Sequence, residues 1–249
     1  MDLLQLAILT SVGIVAGWLN VMAGGGSLLT VPIMLFMGIP GPVANGTNRI
    51  GILMQNIAAV STFFKKGYAD FKLGFSLALA ASSGAVGGAM LGVKLDGVWF
   101  DRLLAAVMIV VMLLMLTGKK AKNTSAPSAK QPGNYLLGHV LMVGAGFWGG
   151  LIQVGVGFIL MPILHRVMGF DLVRVNAHKV FVVLVYTIVA LMVFASQIEI
   201  LWITGVALAL GMMVGGWLGA HTTISKGEAW IRPIFFLTLS VFIVILLWP

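Results

Sequence analysis

Two cations stand at the start of long apolar runs in this chain. Arg49 closes the cluster Ala44-Asn45-Gly46-Thr47-Asn48-Arg49, and Lys179 closes Val175-Asn176-Ala177-His178-Lys179. They lie 130 positions apart, and so do Pro32 and Pro162. A cation costs about 2.5–3.5 kcal/mol at the centre of a membrane helix on insertion scales, so each needs a reason. One reason is snorkelling to lipid headgroups. The other is recognition of one anion between them, with arginine supplying two parallel N–H bonds and lysine a point charge. Asn45, Thr47, Asn48 and Asn176 offer neutral donors to that anion, or they cap helices. A capped helix start attracts anions through its free N–H groups, so the two roles are compatible. His178 is read either as a structural histidine or as the carrier of a coupling proton, because imidazole titrates near neutrality.

Each cluster follows a broken apolar segment. The first break is Gly24-Gly25-Gly26-Ser27, where three residues without a Cβ disfavour a helix. The second is Gln153-Val154-Gly155-Val156-Gly157. These glycines either permit close helix crossings or expose backbone N–H groups to a ligand. Asn20 and Gln153 precede the two breaks at matching places, as a polar lining or as interhelical hydrogen bonds.

The elements that must position these residues are set by composition. Of 249 residues, 60% are hydrophobic and 9% charged, which suits a polytopic membrane protein rather than a soluble domain. Thirty-two glycines fit closely packed membrane helices. The net charge of +8 falls in loops between apolar runs and carries no nucleic-acid signal. With no cysteine, thiolate chemistry and Cys-ligated metals are excluded. The four histidines show no metal spacing, and Gly24–Ser27 lacks the lysine of a phosphate-binding loop, so neither a metal, a cofactor nor an enzymatic activity is expected.

Along the chain, the expected segments are 3–22, 28–37, 48–64, 71–93 and 100–117, then 135–155, 158–168, 180–195, 201–220 and 231–248. The segments 28–37 and 158–168 are too short for an upright crossing; whether they span or re-enter is left open. Residues 119–134 are polar, with Pro127, Pro132 and four lysines, and read as a linker. The expectation is an all-α polytopic membrane protein of about 8–10 membrane segments: a first repeat at 1–118, a cytoplasmic linker at 119–134 and a second repeat at 135–249.

Charge decides how the repeats relate. With an odd number of crossings per half, the second repeat is inverted, and twelve of the fifteen Lys and Arg share one face with the linker. With four crossings per half they divide seven against eight. The inverted arrangement is therefore expected, with sites at the repeat interface as in many secondary transporters.

At these residues the sequence resembles the TauE/SafE (sulfite exporter) family. The match comprises Gly17 with Asn20, the Ala23–Ser27 run, Pro32, the Ala44–Arg49 cluster, and Gly150-Leu151-Ile152-Gln153-Val154-Gly155-Val156-Gly157 with Asn176 and Lys179. The resemblance implies a multi-pass permease of the plasma (inner) membrane for small anions such as sulfite or sulfonates. An anion channel and a membrane-embedded enzyme are the alternatives. Its partners are then a small anion, the lipid bilayer and, in a coupled carrier, a proton or cation; a homo-oligomer stays open, and nucleic acid is not expected.

Overall fold

The computed structural model describes residues 2–68, 70–95, 97–117 and 133–226. Among these the chain is helical, and it contains no strand. The first half supplies α1 (Leu3–Ala23), α2 (Ser27–Phe36), α3 (Gly41–Lys65), α4 (Phe71–Gly92) and α5 (Gly97–Thr117). The second supplies α6 (Tyr135–Leu151), α7 (Val156–Pro162), α8 (Leu172–Gln197) and α9 (Trp202–Lys226). A π-helical turn, Ile163–Val167, continues α7 directly after Pro162, where the missing N–H interrupts the regular ladder. The expected segment 231–248, nearly all of the linker, Asp96, Trp230 and Trp248 lie outside the described residues.

Local chemistry sets the ends. Asp2 caps α1 in a box with Gln5, and Asp70, Asn134 and Asp171 accept backbone N–H groups at the starts of α4, α6 and α8. Asp101 and Arg102 sit in the second turn of α5, with the Arg102 guanidinium 5.2 Å from the centre of the Trp99 ring. Gly24 ends α1 in the left-handed region (φ 82°) and donates to Asn20 O at 2.8 Å. This is the glycine-terminated helix end that an L side chain resists.

Four helices, 3–23, 71–92, 172–197 and 202–225, are long and apolar enough to cross a bilayer. Their outward faces carry exposed Leu, Ile, Val, Phe and Trp, including Leu79, Ile203 and Trp217, as lipid contact requires. The ten residues of α2 rise only about 15 Å at 1.5 Å per residue, half the hydrocarbon thickness.

Packing between the halves is reciprocal. Helix α1 lies along α9 while α6 lies along α4; α3 packs on α9 while α8 packs on α4; and α3 meets α8. Small residues make the two closest crossings. A Cβ at Gly84 or Gly88 would fall inside contact distance of Val143 O or Phe147 O on α6. One at Gly211 or Gly215 would do the same at Thr10 O or Ile14 O on α1. Membrane helices associate through such backbone approach, because lipid gives no hydrophobic force between them. The elements carrying Arg49 and Lys179 are thus clamped between the two crossings.

Candidate functional site

The polar clusters lie inside helices. α3 begins at Gly41 behind Pro40, and α8 begins at Leu172 behind Asp171. Asn45, Thr47, Asn48 and Asn176 are therefore not the N-caps that the sequence allowed. All four are buried, and each hydrogen-bonds to another segment or to a neighbouring side chain. Asn45 donates to Leu151 O at 2.8 Å, and Thr47 accepts from Leu201 N at 3.2 Å. Asn48 accepts from Thr30 Oγ1 at 2.6 Å and donates to Ser27 Oγ at 3.0 Å, which ties α3 to the start of α2.

Arg49 is fully buried. Its guanidinium donates to Gly149 O (3.1 Å), Gly150 O (2.5 Å) and Gln153 Oε1 (3.1 Å), and lies 4.5 Å from the centre of the Phe194 ring. The two carbonyls belong to the last turn of α6, where no further helical N–H reaches them. Lys179 does the corresponding work on the other side. Its ammonium donates to Val21 O (2.7 Å), in the last turn of α1, and to Asn176 Oδ1 (2.5 Å). Each cation thus caps the interrupted helix of the opposite half. A positive charge at a helix C-terminus is favoured by the backbone dipole as well as by the stranded carbonyls.

The two breaks touch. A Cβ on Gly24 would run into the Gly157 backbone, and one on Gly157 into Gly24, so only glycines allow this crossing. At the second break Gln153 and Gly155 both adopt left-handed backbone, with φ of 63° and 73°. For glutamine that conformation is strained and must be held. Arg49 holds its side chain, and Trp148 Nε1 braces the following residue through Val154 O at 3.0 Å.

Between the breaks lies a small, partly open cavity. Its polar lining is Asn20, Ser27, Gln55, Asn56, Gln153 and Lys179, with Gly24 and Gly157 at its floor and Val156, Val180 and Val183 as apolar wall. Among the described residues, no acidic side chain lines it. Of the residues singled out from sequence, the structure brings Asn20, Gly24, Ser27, Gln153, Gly157 and Lys179 to one space. Gly26 contributes its N–H to Asn20 Oδ1 (3.1 Å), and Asn48, Asn176 and Arg49 stand one hydrogen bond behind the lining. Gly25 and Gly155 belong to the breaks but not to the lining, and Asn45 and Thr47 tie segments elsewhere.

Arg49 and Lys179 are not gathered on one surface: Lys179 lines the cavity, and Arg49 reaches it through Gln153. His178 turns away, toward a separate groove with Tyr68, Asp70 and Phe71. Its ring stacks on Phe170 with centroids 4.8 Å apart, and Nδ1 pairs with Arg174 O at 2.8 Å. Gln55 and Asn56 were missed by sequence reading. Both are buried in the middle of α3, where a pair of amides inside an apolar run was the available signal.

Long apolar helices around a buried, polar cavity define the class: an integral, multi-pass membrane protein. The chain matches the sulfite exporter TauE/SafE family over residues 9–246 and belongs to that family. It is 28% identical to the probable membrane transporter protein ORF9 of a Sinorhizobium species, over 92% of this chain and 87% of the relative. A probable membrane transporter protein of Haemophilus influenzae is 29% identical, covering 92% of this chain and 89% of its own length. The probable membrane transporter protein YfcA of Escherichia coli K12 is 26% identical over 96% and 88%. No solved structure matches the chain. The family is one of membrane transporters.

Proposed function

We propose that the protein is a secondary transporter for a small sulfur oxyanion, sulfite or a simple sulfonate, which binds in the cavity between the two breaks. One feature supports this above the rest: a buried lysine and several amides face one small cavity, with no carboxylate on its wall among the described residues. An anion leaving water must find paired charge and hydrogen bonds, and this wall offers both. Helix α2 starts at the same wall with Ser27, adding the positive end of its backbone dipole. The reciprocal packing of the halves suits an inverted repeat, in which rocking about the Gly24–Gly157 crossing opens the cavity to one side and then the other.

Proteoliposomes loaded with unlabelled sulfite test the reading. Internal sulfite should accelerate uptake of ³⁵S-sulfite, as counterflow on a carrier requires, and Lys179→Gln should abolish it. Sulfite flux that follows the membrane potential with no counterflow would make the protein a channel. Flux equal to that of empty liposomes would remove the anion reading.

A further inference from the structure

Resting on the anion reading above, we infer that the cavity is wired to turn hydrogen-bond donors toward its ligand at Asn56 and Lys179, so that it selects a fully deprotonated oxyanion over one of equal charge that carries an O–H. The orientation of two amide chains follows from groups that can only donate. Gly26 N–H fixes Asn20 with Oδ1 toward it (3.1 Å), so Asn20 Nδ2 faces Gln55 and donates to its Oε1 at 3.0 Å. Gln55 in turn donates through Nε2 to Asn56 Oδ1 at 3.3 Å. The chain ends at Asn56 Nδ2, a buried amide nitrogen of a wall residue with no partner among the described residues. A buried N–H₂ left without an acceptor is costly, and an anion in the cavity is the acceptor it lacks.

The second chain starts at Arg49. A guanidinium has no acceptor, so Gln153 must turn Oε1 toward Arg49, which leaves its N–H₂, beside Tyr186, as the end free to meet a ligand. Arg49 is thereby a positioning residue: it sets which end of the Gln153 amide the ligand meets. Asn48 bridges Thr30 Oγ1 and Ser27 Oγ, and the Ser27 hydroxyl on the wall can both donate and accept. The Lys179 ammonium on the same wall is itself unable to accept. A ligand O–H placed against Asn56 Nδ2 or Lys179 Nζ would meet another N–H, whereas a bare oxyanion oxygen there would be matched. A site built this way rejects the wrong partner through unpaired polar groups rather than through shape.

The test uses the purified wild-type protein at pH 8, with ³⁵S-sulfite as probe and sulfate and hydrogen phosphate as competitors. Both competitors are then tetrahedral dianions, and only hydrogen phosphate carries an O–H. Sulfate should compete at least tenfold better. Equal competition, or none by either, would overturn the donor wiring while leaving sulfite as ligand. Absence of sulfite binding would remove the anion reading and this inference with it. Asn56→Asp, which puts an oxygen where the unpartnered N–H₂ stands, should weaken sulfite at least tenfold. Wild-type affinity in that variant would also overturn the proposal.

Discussion

Arg49 and Lys179 occupy matching places in the two halves, yet their surroundings assign them different work. Arg49 joins three acceptors and an aromatic face, and any shorter or neutral side chain leaves Gly149 O, Gly150 O and Gln153 Oε1 without a donor. Each stranded buried acceptor costs about 1–3 kcal/mol. Arg49→Gln and Arg49→Lys should therefore lower the thermal unfolding midpoint of the detergent-purified protein well below that of wild type. A lysine cannot reproduce the two-pronged grip of a guanidinium. An unchanged midpoint in both variants would show that the carbonyls find other partners. Lys179, which lines the cavity, should act on sulfite affinity instead. Arg49 grips the end of α6 and Lys179 the end of α1, two different helices, so their stability effects should add in the double variant. How far the site was legible differs residue by residue. Arg49, Lys179, Asn20 and Gln153 announce themselves as polar groups beside glycine breaks. The partnership of Arg49 with Gly149 and Gly150 spans about a hundred positions, and no local pattern encodes it. Gln55 and Asn56 sit in a run that reads as an ordinary span, and only the packing of α3 against the first break turns them inward.

At the scale of elements, the glycine breaks do more than end helices. Gly157→Ala adds one methyl where the Gly24 backbone already stands, so it should slow sulfite transport sharply. Gly144→Ala meets nothing within 4 Å and should transport as wild type. Equal rates in the two variants would mean that the Gly24–Gly157 crossing has no part in the cycle. Boundaries of the long helices were largely readable, because α1 ends at a triple glycine and α4 at a turn that follows Gly92. The starts of α3 and α8 were not: both begin several residues before the polar clusters. Proline and a capping aspartate set those starts, while apolar periodicity points to later ones. The small-residue crossings can be tested directly. Gly88→Leu on α4 and Gly215→Leu on α9 should each destabilise the protein, by about 1–3 kcal/mol for overpacking. Heat denaturation of the purified variants reads this.

For the whole molecule, an odd number of crossings per half gives the charge asymmetry that bilayers impose. We propose on that basis that the 119–134 linker is cytoplasmic and both termini lie outside. Reporter fusions at Ala126 and after Pro249 should then report opposite sides; a shared side would require an even number of crossings in the second half. The reciprocal packing of α1 on α9 and α6 on α4 was legible only as a likeness of order between the halves. Which helix clamps which depends on the glycine faces meeting in three dimensions. The central claim, that an anion binds between the breaks under the charge of Lys179, is tested most directly by equilibrium affinity. ³⁵S-sulfite binding to purified wild type, Lys179→Gln and the cavity-remote Gly144→Ala should show a loss in the first variant alone. Removing one charge-assisted hydrogen bond is worth about 1.5–3 kcal/mol, or roughly ten- to a hundredfold in affinity. Wild-type affinity in a folded Lys179→Gln protein would contradict the account.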